Sequence, residues 1–391
     1  MTEKQAPSRR DFLKRSGGIL AGTTLAANLS FARGAHAAGS DQMKIGLVGC
    51  GGRGTGAADN CLAADKNVKL VAVGDAFADR ASRSLKQLRK RHADRVEVPD
   101  DRVFIGLDAY QKVIDSDVDL VLIVTPPGFR PVQYQAAVEA GKHVFMEKPC
   151  CVDAPGYRSL LETNKAADEK NLKVGVGLQR HHQKSYIESI KQIQDGAIGE
   201  LSFLRVFWNM GGLWSFPRSP EQTEMEYQLR NWLYFVWLSG DHIVEQHVHN
   251  LDIGNWIKGA HPVTAAGMGG RQVRRFGPEN AYGHIFDHHA VEFTYADGTK
   301  MFSQCRQTPG CDPAVAEFAH GTKGVANCGV RIEDAAGERI YRAPRKAPNP
   351  YGQEHVDLIR AIRNDEKYNE GHYAADASFT GVLGRMATYS G

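Results

Sequence analysis

Short apolar runs alternate with segments of helical spacing from residue 43 onward. Each run ends in a turn that contains glycine or proline, and a helix-like stretch follows. Continuous apolar runs of about four to eight residues are typical of strands that are buried on both faces of a parallel sheet. The runs are Met43–Val48, Val68–Val73, Asp119–Val124 and His143–Met146. This alternation predicts an α/β fold that begins with a doubly wound parallel sheet.

The pattern changes in the second half of the chain. Apolar runs at 173–178, 201–207, 289–295 and 300–304 predict strands, and the last two are separated only by Ala296-Asp297-Gly298. Strands joined by tight turns indicate an open, mainly antiparallel sheet. We therefore expect one domain over residues 43–165 and a second α/β domain over 166–391. The amphipathic helix predicted at 353–363 is expected to pack back as scaffold.

The turn after the first run has the pattern Gly-x-Gly-x-x-Gly, formed by Gly49, Gly51 and Gly54. The first glycine allows a tight turn, the second lets the backbone approach a pyrophosphate, and the third lets helix and strand pack closely. The start of the following helix then faces the anion. A strand, this turn and a helix together predict a Rossmann fold that binds a dinucleotide.

Asp75 follows the second run, about 20 residues beyond the glycines, as expected for a carboxylate that binds the ribose hydroxyls of NAD. A carboxylate there would repel the 2′-phosphate of NADP, but Arg80 and Arg83 lie near in sequence, so NADP stays open as an alternative. Asp75 could instead cap the following helix. NAD is the cofactor that the sequence predicts.

Composition narrows the classes of partner. The chain has 391 residues with 48 Lys and Arg against 45 Asp and Glu, and a net charge of +3 does not favour nucleic acid. Beyond residue 40 no run approaches the roughly 20 apolar residues of a membrane-spanning helix, so we expect no stable membrane insertion. The seven cysteines are odd in number and lack Cys-x-x-Cys spacing, which argues against a disulfide framework and a zinc knuckle.

The first 38 residues have the layout of an export signal. Arg9-Arg10 lies within Ser8–Lys14, a mildly apolar stretch follows, and Ala35-His36-Ala37 suits a cleavage site. The segment resembles a twin-arginine signal, which implies a periplasmic or otherwise exported protein and the twin-arginine translocase as a transient partner. That route carries folded proteins, so we expect a cofactor to be bound before export. An amphipathic or membrane-anchoring helix is the alternative.

Later motifs resemble the Gfo/Idh/MocA family of glucose-fructose oxidoreductases and inositol dehydrogenases. Thr125-Pro126-Pro127 ends one strand, and Ala140–Cys150 ends in Glu147-Lys148-Pro149. The family places this lysine beside the nicotinamide and the substrate, often with a cis bond before the proline. The resemblance implies a catalytic role for Lys148. The predicted cofactor-binding residues are Gly49, Gly51, Gly52, Arg53, Gly54, Asp75, Thr125, Pro126, Glu147 and Lys148.

The segment from Ser239 to Asp252 carries the remaining catalytic candidates. On one continuous helix, Asp241, Glu245, His249 and Asp252 would share a face. The family has Asp-x-x-x-His-x-x-Asp here, which corresponds to Glu245, His249 and Asp252. The resemblance therefore implies that His249 is the general base. It also implies that Glu245, which is one methylene longer than the usual aspartate, is a carboxylate that orients the reacting groups. Polar residues that pair along a surface helix are the alternative.

A metal site is the other interpretation of this segment. Its candidate ligands are Asp241, His242, Glu245, His247 and His249. His-x-His spacing fits a strand better than a helix and no distant ligand motif is evident, so we predict no metal. His181-His182 and His288-His289 are conceivable partners, although strand ends or a pocket suit them better.

The resemblance also suggests substrate-binding residues and an assembly. Arg180, Asp252, Trp208 and Arg230 are the candidates, with ordinary core packing as the alternative for the tryptophan and its neighbours. The family often forms homo-oligomers through the second sheet, and we expect the same here. The predicted function is NAD(P)-dependent hydride transfer with a sugar, cyclitol or polyol. Redox-neutral epimerisation, elimination or glycoside cleavage through transient oxidation is one alternative, and a noncatalytic sugar-binding protein is another.

Overall fold

The apolar runs of the first 180 residues form a parallel sheet of six strands in the order β3-β2-β1-β4-β5-β6. The computed structural model describes residues 41–274, 282–344 and 346–391, so the predicted export signal lies outside the described residues. The strands are β1 (Met43–Val48), β2 (Val68–Asp75), β3 (Val103–Ile105), β4 (Leu120–Ile123), β5 (His143–Met146) and β6 (Val174–Val176). This confirms the predicted doubly wound sheet.

Helices cover both faces of this sheet because its strands are apolar on both sides. They are α1 (Gly52–Ala64), α2 (Ala78–Arg91), α3 (Ala109–Ile114), α4 (Arg130–Glu139) and α5 (Ala154–Glu169). Leu47, Leu62 and Leu70 belong to the core on one face, and Val48, Val121 and Tyr134 to the core on the other. The boundary expected at residue 165 falls inside α5, and β6 of the first sheet lies beyond it.

A second sheet of eight strands follows among the described residues, in the order β14-β13-β12-β11-β7-β10-β9-β8. The strands are β7 (Leu201–Met210), β8 (Thr264–Gly270), β9 (His288–Thr294), β10 (Lys300–Gln307), β11 (Ala314–Gly321), β12 (Gly324–Asn327), β13 (Arg331–Asp334) and β14 (Arg339–Arg342). All neighbours are antiparallel except β7 and β10, which run parallel. The sheet is therefore mixed but mainly antiparallel, as predicted.

Seven further α-helices follow β6 among the described residues, and some of them pack on one face of this sheet. They are α6 (Lys184–Gln194), α7 (Glu224–Arg230), α8 (Val236–Ser239), α9 (His242–Glu245), α10 (Val248–Lys258), α11 (Pro350–Arg363) and α12 (Gly371–Ser390). The single helix predicted across 239–252 was wrong. Gly240 and Asp241 both have positive φ, +78° and +75°, and the helix restarts at Val248 after α9.

The last two helices join the two sheets. Leu358 and Ile359 of α11 pack in the core around β1, which agrees with the scaffold role predicted for this helix. In α12, Ala374 contributes to the first sheet's core, whereas Val382 contributes to the core of the second sheet. The Oγ of Ser378 accepts a hydrogen bond from the backbone N–H of Cys150 at 2.9 Å. The end of the chain thus fixes the strand ends of the first sheet against the second.

All seven cysteines lie in the described part of the chain and none forms a disulfide; Cys311 is exposed and the others are buried. Within the described ranges, no helix has both the length and the apolar character required to cross a membrane. Burial raises the pKa of the Cys50 thiol well above its usual value, and the neighbouring Asp75 adds to this effect. The buried cysteines therefore act as small apolar core residues.

Candidate functional site

A cavity of about 770 Å³ opens at the carboxyl ends of β1, β2, β4 and β5. This is the edge at which doubly wound sheets bind their ligands. All ten predicted cofactor-binding residues line it, and Glu245, His249 and Trp208 line its other wall. The structure therefore brings the glycine turn and the proposed catalytic residues to one cavity.

The glycine turn has the geometry that a pyrophosphate requires. Gly49 has φ +94°, and a Cβ on Gly54 would lie 1.8 Å from the carbonyl oxygen of Gly49. Gly51 and Gly52 face open space, because the nearest atom to a Cβ at either position is Arg80 Nη1, at 4.0 Å from Gly51. No side chain caps the start of α1. Its free N–H groups and the open cradle fit the phosphates of NAD.

Asp75 lies in the wall of the same cavity. Its carboxylate accepts hydrogen bonds from the backbone N–H groups of Cys50 at 2.7 Å and Phe77 at 2.9 Å. Phe77, and not Asp75, is the N-cap residue of α2. Burial raises the pKa of Asp75, while the two hydrogen bonds oppose that effect. Its position at the end of β2 fits the ribose of NAD.

Lys148 connects the first sheet to the second half of the chain. Its Nζ donates to the Oε1 of Glu245 at 2.7 Å and to the backbone carbonyl of Glu245 at 2.6 Å. The peptide bond between Lys148 and Pro149 is cis, as the family resemblance implies. Glu147 accepts from the backbone N–H of Lys148 at 3.1 Å and forms an ion pair with Arg53. The lysine is held between two carboxylate-bearing segments.

His249 lies in the first turn of α10 on the cavity wall. Its ring is 7% exposed, its Nδ1 has no hydrogen-bond partner, and it stacks on Trp208 with 5.9 Å between ring centroids. Burial lowers its pKa well below the usual value, and the positive charges of Lys148 and Arg180 add to this effect. The imidazole is therefore neutral at neutral pH and can accept a proton.

Three predicted substrate-binding residues do not line this cavity. Arg180 is buried in an ion pair with Glu317, and Asp252 binds the ring of His181 at 2.9 Å. Arg230 pairs with Asp79 at 3.2 Å beside the cavity. Helical spacing also placed Asp241 with Glu245, but the break before α9 turns Asp241 toward the second sheet and α12. Of the four candidates for substrate, only Trp208 lines the wall.

Other residues reach the site without a sequence motif to announce them. Arg130 donates to the carbonyls of Thr125 at 2.7 Å and of Pro149, so it fixes two of the strand ends. Tyr351 comes from the start of α11, and the guanidinium of Arg53 lies 5.0 Å from its ring centroid. Further lining residues include Gln133, Trp214, Phe216, Trp232 and Gln246. The high content of aromatic residues in 208–232 is the sequence feature that pointed to Trp214, Phe216 and Trp232.

The metal candidates divide into two groups. Glu245 and His249 line the cavity, whereas Asp241 and His242 converge on His289, with ligand atoms within 4.8 Å of one another. In the described ranges this is the one group of three or more potential metal ligands. His289 belongs to the pair His288-His289, one of the two histidine pairs that the sequence offered as conceivable partners, although a strand end or a pocket was the expected place for it.

Comparison with known proteins agrees with this geometry. The chain is 27% identical over 232 residues to scyllo-inositol 2-dehydrogenase (NAD(+)) of Bacillus subtilis strain 168, covering 58% of this chain and 57% of that enzyme. It is 25% identical over 312 residues to inositol 2-dehydrogenase of Rhizobium meliloti strain 1021, covering 77% and 81%. The chain thus spans little more than half the length of the first relative.

Solved structures share the fold. Scyllo-inositol dehydrogenase from Lactobacillus casei, with bound NAD(H) and scyllo-inositol, superposes with a TM-score of 0.66 at 20% identity, covering 90% of this chain and 98% of that chain. The model of the Gfo/Idh/MocA family, described as an oxidoreductase family with an NAD-binding Rossmann fold, matches residues 43–178. Residues 43–178 of this chain are therefore similar to the NAD-binding Rossmann fold of that family.

Proposed function

We propose that this protein is an NAD-dependent oxidoreductase that transfers a hydride between the CH–OH group of a sugar, cyclitol or polyol and a nicotinamide. The observation that carries the proposal is that Lys148, Glu245 and His249 line the same cavity as the glycine turn. The Rossmann family match and relatives that are inositol dehydrogenases support the reaction class. Aromatic side chains in the wall suit the apolar faces of a sugar or cyclitol ring.

The residues of this chain supply binding and proton transfer. The glycine turn would hold the pyrophosphate of NAD, and Asp75 the adenosine ribose. When bound, NAD supplies a hydride acceptor. His249 is neutral and accepts the proton of the substrate hydroxyl, and Lys148 donates a hydrogen bond to the same oxygen. Glu245 orients Lys148 through its carboxylate and its carbonyl.

Exclusion of water completes this assignment. Lys148 and Glu245 have side chains that are only 15% and 10% exposed, and His249 is buried between α10 and Trp208. A charge–dipole contact to a reacting oxygen is stronger in such a site than in water. The same shielding keeps solvent protons away from the imidazole, which favours its role as base.

Turnover on a panel of polyols tests the proposal. Purified protein is mixed with NAD and inositols, aldoses, glycosides or linear polyols, and substrate loss is followed by chromatography together with the absorbance of NADH, because a nucleotide that is reoxidised in place does not accumulate as NADH. We expect one of these classes to be oxidised, and the variants His249→Ala and Lys148→Met to lose about 10²–10⁴-fold in kcat. His261→Ala, at an exposed histidine, is the control and should keep full turnover. Undiminished turnover of His249→Ala would overturn the assignment.

We further propose that the protein is exported and keeps its nucleotide through the catalytic cycle. The twin-arginine-like sequence around Arg9-Arg10 supports export. A nucleotide that left outside the cytoplasm would not be replaced, so bound NAD has to be reoxidised in place, either by a second substrate or by a redox-neutral step. Protein recovered by periplasmic extraction and then denatured should release one nucleotide per chain. Product analysis separates keto or lactone products from redox-neutral ones.

The predicted homo-oligomer also remains a proposal. Phe302 of β10 and Met268 of β8 are 42% and 79% exposed on the same face of the second sheet. An apolar patch of this kind favours contact with a second copy of the chain. Light scattering on the purified protein tests it, with Phe302→Glu expected to shift the mass toward the monomer.

A further inference from the structure

A second polar cluster lies away from the catalytic cavity, between α9, β9 and the end of α12. Asp241 and His242 are fully buried and His289 is 3% exposed. None of the three lines the cavity. We propose that Asp241, His242 and His289 bind one divalent transition-metal ion, with Zn²⁺ as the reference ion. This inference is independent of the reaction assigned to the cavity.

The imidazoles of the cluster lack the partners that buried polar atoms require. Both ring nitrogens of His242 and the Nε2 of His289 have no hydrogen bond. The Nε2 of His289 lies 3.3 Å from the Oδ1 of Asp241, yet it is not aligned for a hydrogen bond. A buried polar atom that has lost its water and gained no partner is destabilising. A ligand between them would satisfy two nitrogens and one oxygen together.

The protonation of His289 follows from its neighbour. The hydroxyl of Thr388 donates to the carbonyl of Arg385 at 3.0 Å, so its oxygen accepts from the Nδ1 of His289 at 2.9 Å. With Nδ1 protonated, the neutral ring presents the lone pair of Nε2 toward the carboxylate. Two electron-rich atoms then face each other, unless a cation lies between them. Histidine ligands of metals are commonly held by such a hydrogen bond from the other nitrogen.

A protonated His289 would supply a cation but would not complete the cluster. It would pair with Asp241, while His242 would still have both nitrogens unsatisfied. A metal ion is the occupant that satisfies both histidines.

The distances fit a small ion with nitrogen and oxygen ligands. Tetrahedral zinc with bonds of about 2.0–2.1 Å separates its ligand atoms by about 3.3 Å. The Oδ1 of Asp241 lies 3.3 Å from His289 Nε2 and 3.9 Å from His242 Nε2. The other carboxylate oxygen of Asp241 accepts from the hydroxyl of Tyr389 at 2.7 Å and the backbone N–H of Phe286 at 2.8 Å. The Oδ1 that faces the histidines accepts the backbone N–H of His242, so the remaining lone pair of this oxygen is left for the ion.

Nearby arginines do not replace the ion. The guanidinium of Arg274 donates to Phe286 and Gln307, and that of Arg385 donates to the carbonyls of Val152 and Gly240. Neither donates to Asp241. Both arginines lower the net affinity for a cation through their charge, so the neutral histidines have to provide most of the binding.

The position of the cluster assigns a structural role to the ion. Asp241 and His242 begin the segment that carries Glu245, His289 belongs to β9, and Thr388 to α12. An ion there would fix the Glu245 segment to the second sheet and to the last helix. Positive φ at Asp241 is the conformation that directs its carboxylate into the cluster.

Metal analysis of the folded protein tests the proposal. The full chain, without a histidine tag, is expressed in medium with zinc and its metal content is measured by mass spectrometry after gel filtration. We expect about one zinc per chain, and a loss of more than about tenfold in His289→Gln and His242→Gln. His247→Gln is the matched control, since His247 is equally buried but has Ser303 as a partner at 2.8 Å, and it should retain zinc.

A spectroscopic arm covers variants that do not fold. Wild-type protein expressed with Co²⁺ in place of zinc should show the intense visible d–d absorption of a four-coordinate site with nitrogen and oxygen ligands, and zinc should abolish it. Folded wild-type protein with no stoichiometric metal and no such absorption would overturn the proposal. Zinc retained in folded His289→Gln at the wild-type level would overturn it equally.

Discussion

His249 shows how single residues set the chemistry of the cavity. The sequence predicted Lys148, Glu245 and His249 as a catalytic group, and the structure places all three in the lining of one cavity. Their spacing along the chain carried that information, because the residues match motifs of known function. Arg180 and Asp252 matched in the same way, but their side chains bind Glu317 and His181. Residue spacing could not reveal those partners, which come from distant strands and turns.

The acid limb of the pH profile tests the state of His249. Its folded pKa lies below the ordinary value because of burial and the charges of Lys148 and Arg180. A base is active when deprotonated, so kcat/KM should stay flat as the pH falls to about 6.5, the ordinary pKa of histidine, and decrease only below it. Steady-state rates from pH 5 to 8, with stability checked at each pH, provide the measurement. A midpoint at or above 6.5 would contradict this account.

The elements were predictable where local sequence decides them. Continuous apolar runs predicted β1, β2, β4 and β5, because a strand that is buried on both faces is apolar along its whole length and can be recognised from its own sequence. β3 is three residues long and partly exposed, so it left no such signal. The prediction of one helix over 239–252 was wrong because Gly240 and Asp241 have positive φ, which interrupts the helix. The spacing of side chains along the sequence gives no information on these backbone angles. The place of Tyr351 beside Arg53 depends on how α11 packs, which no local pattern contains.

The glycine turn allows a prediction with an internal control. Gly54→Ala would put a Cβ 1.8 Å from the carbonyl oxygen of Gly49, so we expect a loss of about 2 kcal/mol or more in stability. Gly51 has φ −68° and ψ −174°, and its Cβ would meet nothing closer than 4.0 Å. Gly51→Ala should therefore fold normally yet raise the Kd for NAD at least about tenfold, because its methyl group would occupy the phosphate cradle.

Calorimetry of binding and denaturant unfolding separate the two effects. Equal stability losses in both variants would show that the turn is purely structural. An unchanged Kd in Gly51→Ala would remove the cradle from the cofactor site.

At the scale of the molecule, buried histidines govern the response to pH. Burial lowers the pKa of His355 to about 3. The unfolded chain binds a proton at this residue near pH 6.5, whereas the folded protein does not, so stability decreases as the pH falls from about 6.5 toward 3. Burial opposes protonation of His182, but a hydrogen bond to Asp357 and the nearby carboxylate of Glu370 raise its pKa to about 10. Its contribution is complete below about 6.5 and is lost as the pH rises toward 10.

The variant His355→Phe isolates the acid part of this response. The ring of His355 already stacks on Phe145 with 4.2 Å between centroids, so an aromatic replacement keeps the packing. Between pH 6.5 and 5 we expect wild-type protein to lose about 2 kcal/mol more stability than the variant. Urea unfolding at the two pH values gives the difference. Parallel losses in the two proteins would show that His355 does not titrate on unfolding.

Isotope transfer tests the central claim, that the cavity moves a hydride from a CH–OH group to NAD. The protein is incubated with stoichiometric NAD and a substrate that is deuterated at its carbinol carbons. The mass of the recovered nucleotide is then measured by mass spectrometry. The account predicts one deuterium in the NADH formed by wild-type protein and almost none with His249→Ala in the same time. Nucleotide that stays unlabelled with wild-type protein, while an oxidised product that has lost its carbinol deuterium accumulates in stoichiometric amount, would contradict it.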